Sequence, residues 1–499
     1  MLMKKFFTSM LVAFAAIAAS ATDFNESIIV TVNGVSSEQT GVISVVQNGD
    51  TYDLTMKNFM LASEDGPMGV GNVALTGIVP QMVGNTVILQ TTAEVTITEG
   101  DDPSVAFWMG PMLGPVPVDL MGKIENGRLR CFINIDMQSL QQVIQVAIGR
   151  GYQMRNQSFE DWHTSTGNYV EPNGWHSFES ASGSLASMAG HHMEKSTDAH
   201  SGEFSARINA TSILGIIANG TMTTGRMNAG SMSPTDKSNN AYLDITNTDV
   251  DGNGDPFYTP LYTRPDSIAV WVKFKQGKAT TAHPYATVSA AITDGTYYQE
   301  PMDKDYSNVV ARAGNSQIAE TGGAWVRVSA PFNYTETAAE PQAILITIST
   351  NADPGQGSNN DEVLVDDIAL IYNAKLTSLK VNGKDLDGFD PDKKEYELDF
   401  KNTPITIDDF VGTPDGRSAL VVNKVEPTNT GYKATVKVLP GDMENITEYV
   451  LNVKSTASAI SQLKQEQPKS NAIYNLNGQQ VKTAKKGLYI VNGKKVVVK

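Results

Sequence analysis

A chain of 499 residues is too long for one hydrophobic core, so three or four domains are expected. Its net charge of −16 argues against nucleic acid and anionic membrane surfaces as partners, and leaves many carboxylates free for calcium. The one cysteine, Cys131, excludes an internal disulfide and is expected as a small buried residue in a strand rather than a reactive thiol.

The chain opens with MLMKKFFTSMLVAFAAIAASA. Lys4 and Lys5 form a basic start, Leu11 to Ala18 a short apolar run, and Ala19-Ser20-Ala21 a small-residue cleavage pattern. Residues 1–21 are therefore expected to be a signal peptide. The run is too short for an anchor, and no later one approaches the ~18 residues of a spanning helix, so no transmembrane segment is expected. No cysteine near the cleavage site suggests a lipid anchor.

The remainder has the marks of an all-β protein. Asn-Gly pairs recur, among them Asn33-Gly34, Asn126-Gly127 and Asn382-Gly383, and both residue types tolerate the positive φ of tight hairpins. In GVISVVQNGDTYDLTM, apolar and polar residues alternate on both sides of the turn. The best helical candidate is Met137 to Ile148, and its β-branched residues make it ambiguous.

Residues 22–152 form a meander of short strands, with YDLTMKNFML, GPMLGPVPVDLMGKIENGRLRCFINIDM and QVIQVAIG as its marks. The segment resembles the calycin-like β-barrel domains of secreted Bacteroidota proteins, relatives of the lipocalins. The resemblance implies a closed barrel that either carries a small hydrophobic molecule or is filled by its own side chains. Met60, Met68, Met82, Met109 and Met112 suit a pliable pocket lining or core filler equally.

Residues 153–374 hold four of the five tryptophans and all six histidines. SFEDW, PNGW, DAHSGEFSARI, TPLYTRPDSIAVWVKFK, AWVRVSAPFNY and VLVDDIALIY follow one another. This order resembles the carbohydrate metabolism domain of Bacteroidota and, more distantly, jelly-roll carbohydrate-binding modules. The resemblance implies a large β-sandwich whose first and last strands lie side by side at one edge. Glu160 would then face Asp366 or Asp367, and a structural calcium ion between them would relieve their repulsion.

In SIAVWVKFK, Ile268, Val270, Val272 and Phe274 share one strand face, while Trp271 and Lys273 share the other. An indole beside a cation suits a sugar ring, so both are candidate carbohydrate contacts. Trp162, His163, Tyr297 and Tyr298 are further candidates, placed near loops. Trp175 and Trp325 are expected to pack as core or edge residues. DVDGNGD, Asp249 to Asp255, begins like an EF-hand loop, but its twelfth position is Pro260, so a glycine-rich turn is expected. The histidines show no metal-protease spacing and are expected to be scattered on the surface.

Residues 375–456 carry KLTSLKVNGKDLDGFDPDKKEYELDF and a closing YVLNV, with Tyr396 and Tyr449 expected half-buried. This pattern resembles cadherin-like or Ig-like β-sandwich repeats and implies a spacer. A polar linker is expected over residues 457–470. Residues 471–499 resemble the C-terminal sorting domain of type IX secretion substrates, with Gly478, Gly487, Tyr489 and Gly493 at matching places.

Together these readings describe a secreted or cell-surface, non-catalytic, multi-domain glycan-binding protein. The resemblance admits a structural Ca2+ at Glu160, Asp366 and Asp367, with ordinary solvated carboxylates as the alternative; no organic cofactor is expected, and the type IX secretion machinery is the implied export partner. Two alternatives stay open: a glycoside hydrolase using paired carboxylates in the jelly roll, and a hydrophobic-ligand carrier or adhesion protein using the barrel.

Overall fold

The computed structural model describes residues 21–62, 66–137, 141–279, 282–336, 339–400 and 405–455. Beyond them it describes four short strands, Ile473–Asn475, Gln480–Val481, Gly487–Val491 and Lys494–Val498. The expected signal peptide before Ala21 and the expected linker lie outside the described residues. The four C-terminal strands pair into one antiparallel sheet. The protein is all-β: the described residues contain strands and short 3-10 turns, and no α-helix. The chain divides into two compact units. One runs to Ala374 and includes Pro414–Leu420 and Leu439–Ile446; the other begins at Lys375 and holds the remaining later segments.

The first unit starts with a strongly curled nine-stranded antiparallel sheet. Its strands are β1 (Ala21–Val32), β2 (Val35–Asn48), β3 (Thr51–Leu61), β4 (Met68–Ile78), β5 (Gln81–Val83), β6 (Thr86–Thr96), β7 (Pro115–Glu125), β8 (Arg128–Met137) and β9 (Gln142–Ile148). Their order across the sheet is β4-β3-β2-β1-β9-β8-β7-β6-β5. The curl brings β4 to the segment after β6, where Asn72 and Thr98 exchange two backbone hydrogen bonds. The Asn33-Gly34 and Asn126-Gly127 hairpins have positive φ at both residues, as their two-residue turns require.

Side chains alternate along these strands, so Leu54, Leu75, Leu89, Leu120, Leu129 and Cys131 fill the interior. Burial pushes the Cys131 thiol up to about 12, in keeping with an inert thiol. Met82 and Met112 are largely exposed and line no interior pocket, which corrects that expectation for these two. The stretch Met137 to Ile148 is strand at Gln142–Ile148, because its β-branched residues pair with β8 and β1.

The barrel-type sheet meets the following sandwich through Arg128. The Arg128 guanidinium lies 3.2 Å from the centre of the Tyr262 ring and donates to Gln342 Oε1 at 3.1 Å. Buried Arg130 donates to the carbonyls of Gly149 and Asp442 and to the Glu444 carboxylate.

The sandwich has two principal antiparallel sheets. One contains Met193–Ser196, Ser205–Asn209, Glu362–Ile371, Ser267–Lys275 and Val326–Pro331, in that spatial order. The other contains Thr221–Thr223, Ala343–Ser349, Ala286–Thr293, Val309–Ile318 and Asn333–Tyr334, with Thr259–Pro260 pairing beside Ala343–Ser349. Ile268, Val270, Val272 and Phe274 from the first sheet share one core with Ile344, Ile346, Ile348, Val288 and Ala290 from the second.

Two topological expectations are corrected here. Residues 157–160 form a turn, not an opening strand, with Phe159 at φ +54°. The last strand, Glu362–Ile371, lies inside its sheet between Ser205–Asn209 and Ser267–Lys275, not at an edge. The opening turn reaches it only where Ile368 N–H donates to Gln157 C=O.

Besides the C-terminal sheet, the second unit carries one three-stranded and one four-stranded sheet, with Glu395–Phe400 parallel to Thr447–Ser455. Tyr396 and Tyr449 are fully buried rather than half-buried, and their hydroxyls bond the backbone of Asp390 and Pro391.

Candidate functional site

A groove of about 520 Å³ lies over the second sheet of the sandwich, within the size range of small-molecule sites. Period-two alternation builds its floor. Val288, Ala290, Ile346 and Ile348 point into the core, so Thr287, Ser289, Thr347 and Ser349 face outward. Ser289 pairs with Thr347 across the strands, and Ser349 lies between Thr221 and Thr287. The hydroxyls touch: Ser289 Oγ and Thr347 Oγ1 are 3.1 Å apart, and Thr221 Oγ1 donates to Ser349 Oγ at 3.1 Å.

Two apolar walls rise over this floor. One is the hairpin Thr211–Ile213 and Ile216–Ala218, whose Ile213, Ile216 and Ile217 line the groove. Leu214 and Gly215 form its turn with φ of +50° and +81°. The other wall contains Phe178, Leu185 and Met188. Amide side chains complete the lining. Asn219 and Asn240 each keep a buried Oδ1 with no hydrogen-bond partner, while their Nδ2 groups donate to backbone carbonyls. A buried acceptor without a partner is costly, but both oxygens are closed off from the open groove and contribute packing rather than contacts there. Glu300 is the one carboxylate among the described lining residues. It is held by Arg312 at 2.5 Å and the Tyr298 hydroxyl at 2.6 Å.

Little in the sequence marks the groove. Its signal was TSILGIIA, a short apolar hairpin pattern whose Leu214 is 79% exposed. The floor carried no signal, since alternating Thr and Ser occur on any solvated strand face.

The sequence-predicted carbohydrate residues lie elsewhere in the sandwich. Trp271 is half-buried on the outer face of the first sheet, opposite the apolar stripe. His200 stacks on it at 3.8 Å between ring centres, which occupies the ring face a sugar would need. Lys273 is spent on Asp198 at 2.7 Å to both oxygens and sits 5.1 Å from the Trp325 ring. Trp162 is half-buried and donates its indole N–H to Phe159 C=O. Tyr297 is exposed, with its hydroxyl on Gln299. Tyr298 is fully buried, so its ring cannot serve as a platform; this corrects that expectation. Trp175 is a core residue and tilts against Phe159.

Glu160, Asp366 and Asp367, the expected calcium ligands, converge on one loop. Glu160 Oε1 accepts the N–H groups of Glu203 and Phe204 at 2.9 and 3.2 Å. Asp366 Oδ2 accepts those of His200 and Ser201 at 2.7 and 3.2 Å. Asp367 occupies a β-bulge at φ +44° and bonds His200 Nδ1 and Ser201 Oγ. Burial pushes the Asp366 carboxyl up to about 6, against the lowering effect of those amides. The partners of the three carboxylates on this loop are thus four N–H groups, the His200 ring and the Ser201 hydroxyl.

The histidines correct another expectation. His176 and His192 are fully buried, not scattered on the surface. His163 is nearly closed off, with Nδ1 3.0 Å from Asn173 Oδ1 and Nε2 3.3 Å from Asp249 Oδ2. Among the described residues, His163, Glu171 and Asp249 bring one ligand atom each within 4.8 Å of one another. Burial works to lower the pKa of His163, but its bonds to Asp249 and Asn173 and the two nearby carboxylates outweigh burial and raise it.

Comparison with known proteins gives one family match. The family described as calycin-like beta-barrel domain matches residues 21–148, the span of the curled nine-stranded sheet. No curated protein matches the chain. Among solved structures, the chain is similar to a presumed glycoside hydrolase of Bacteroides thetaiotaomicron at 13% identity and a TM-score of 0.32, over 69% of this chain and 84% of that one. It is also similar to a structure described as a carbohydrate-binding module of the β-sandwich superfamily with promiscuous specificity. That likeness has 10% identity and a TM-score of 0.21, over 70% of this chain and 96% of that one. Similarities this loose assign no activity to the chain.

Proposed function

We propose that this is a secreted or cell-surface glycan-binding protein whose sandwich captures a glycan chain without cleaving it. The observation that carries the reading is the groove floor of paired hydroxyls between apolar walls. A sugar presents hydroxyls at its edge and C–H groups on its faces, so such a groove satisfies both. Hydrolysis by two carboxylates needs an acid and a partner across the bond, and Glu300 stands alone among the described lining residues. The barrel interior is occupied by leucines, which supports a scaffold role over carriage of a hydrophobic molecule. An extracellular place is supported by the signal-type opening and the type IX-like C-terminal segment. Amino-terminal sequencing of exported protein tests it: a start near Thr22 is expected, and retention inside the cell contradicts it.

The binding test is an array of plant, host and microbial oligosaccharides probed with the full-length protein, with hydrolysis products assayed in the same wells. Binding without turnover is expected. Turnover would favour the hydrolase reading, and neither binding nor turnover would overturn the proposal.

A further inference from the structure

A second constellation lies outside the groove and independent of the glycan reading. The short strand Trp162–Thr164 carries His163, its antiparallel partner Val170–Pro172 carries Glu171, and the turn after Asp244–Thr248 carries Asp249. His163 and Glu171 face each other in register, and Asp249 arrives from 86 residues away.

The hydrogen bonds assign the free nitrogen of His163. Asn173 Oδ1 also receives Asn253 Nδ2 at 3.0 Å, so it is an acceptor, and His163 Nδ1 must donate to it. In neutral imidazole that leaves a lone pair on Nε2, facing the Asp249 carboxylate at 3.3 Å. A proton on Nε2 or a metal cation in its place satisfies both atoms, so the ring is aimed to serve as a ligand. An imidazole fixed through its other ring nitrogen by an oxygen acceptor is also the usual arrangement of a metal-bound histidine.

Glu171 gives the second, separate indication. It is fully buried; Oε1 accepts Ser177 N–H and Ser180 Oγ, but Oε2 has no hydrogen-bond partner. The His176 Nδ1 atom lies 3.7 Å from Oε2, too far for a hydrogen bond. Glycine at 252 keeps the approach clear, because a Cβ there would lie 2.1 Å from Asp249 Oδ2 and 2.8 Å from His163 Nε2. Two buried carboxylates outnumber the one imidazole beside them, so a proton on that ring would still leave one carboxylate without a compensating charge.

We propose that His163, Glu171 and Asp249 bind one divalent transition cation of the zinc class. One imidazole nitrogen with two carboxylates suits a borderline dication better than calcium, which takes oxygen ligands only. Ligands at about 2.0–2.2 Å in a tetrahedral shell lie roughly 3.3–3.6 Å apart, so the trio, now within 4.8 Å, closes by up to about an ångström or slightly more on binding. The ion ties the Asp249 turn to the hairpin that holds Glu171. Through Ser177 and Ser180, Glu171 also holds the segment containing the groove residue Phe178.

The test uses the full-length protein, stripped with chelator and titrated with Zn2+ alone by calorimetry, with Ca2+ in parallel. One zinc per chain is expected. Asp249→Asn and Gly252→Ala should each weaken it at least a hundredfold, and Asn173→Ala about tenfold through loss of the orienting bond. His283→Ala, at an exposed histidine, should change nothing. If a variant fails to fold, X-ray absorption on the zinc-loaded wild type decides: a shell of one imidazole with oxygens supports the site, and two or more imidazoles overturn it. Absence of zinc binding, unchanged binding in folded Asp249→Asn or Gly252→Ala, or stoichiometric displacement by Ca2+ would also overturn it.

Discussion

The barrel-type sheet and the sandwich bury different chemistry. The sheet of β1 to β9 encloses aliphatic side chains, and its buried charges, Glu26, Lys123 and Arg130, cluster towards the sandwich. Lys123 Nζ lies 5.6 Å from the Tyr152 ring, Arg130 bonds Gly149, and Glu26 accepts from the Arg150 backbone. The sandwich instead buries Glu171, His176, His192, Asp249, Asp255, Asp361 and Asp366. Strands joined by tight hairpins leave little backbone to satisfy with buried carboxylates. Long irregular connections do, and carboxylates satisfy them: Asp361 alone takes Gly277 N–H, Ser358 N–H and Ser358 Oγ. One region is therefore a packed scaffold, and the other holds sites.

The contrast predicts graded effects. Leu120→Ala, in the barrel core, should cost about 2–5 kcal/mol in denaturant unfolding and leave glycan affinity unchanged. Loss of glycan binding in that variant at temperatures where it stays folded would break the separation.

Glu179 tests the sandwich's buried charge. Burial, and then the neighbouring Glu171, push its carboxyl from 4.5 up to about 7. Between those values the native state holds a proton that the unfolded chain releases, so its contribution to stability falls as pH rises through that window. Glu179→Gln should therefore unfold later than the wild type at pH 8, by roughly 2–3 kcal/mol, and no later near pH 4. Chelator-treated protein followed by urea unfolding at both pH values measures this. An equal difference at both would contradict it.

Paired removal of floor hydroxyls, Ser289→Val with Thr347→Val, should weaken glycan binding by about tenfold or more, since each lost hydrogen bond is worth ~0.5–1.5 kcal/mol. The smallest effect is expected at Trp271→Ala. It loses the His200 stack, about 0.5–1.5 kcal/mol of stability, and changes glycan affinity by less than about twofold. A large affinity loss there would move the binding site to the opposite sheet.

Local signals made much of this architecture legible. Alternation around Asn-Gly pairs marked the hairpins, and the pattern of SIAVWVKFK correctly placed Trp271 opposite Ile268, Val270, Val272 and Phe274. Pairing partners far along the chain left no such mark. Nothing in Ser205–Asn209 announces Glu362–Ile371 as its neighbour, and nothing near Trp271 announces the covering His200. The two sites suffer most from this. The groove draws on segments from Phe178 to Gly355, and His163 meets Asp249 across a long connection. Residue type also misled: tyrosines at 297 and 298 looked equivalent, but adjacent strand-like positions face opposite ways, and only Tyr297 reaches solvent.

The most direct measurement is hydrogen exchange of the full-length protein with and without the tightest oligosaccharide found on the array. Slowed exchange at residues 211–218, 286–293 and 343–349, with the barrel unchanged and the sugar recovered uncut, is the predicted result. Slowed exchange confined to residues 267–275 and 326–331, or to the barrel, would contradict it.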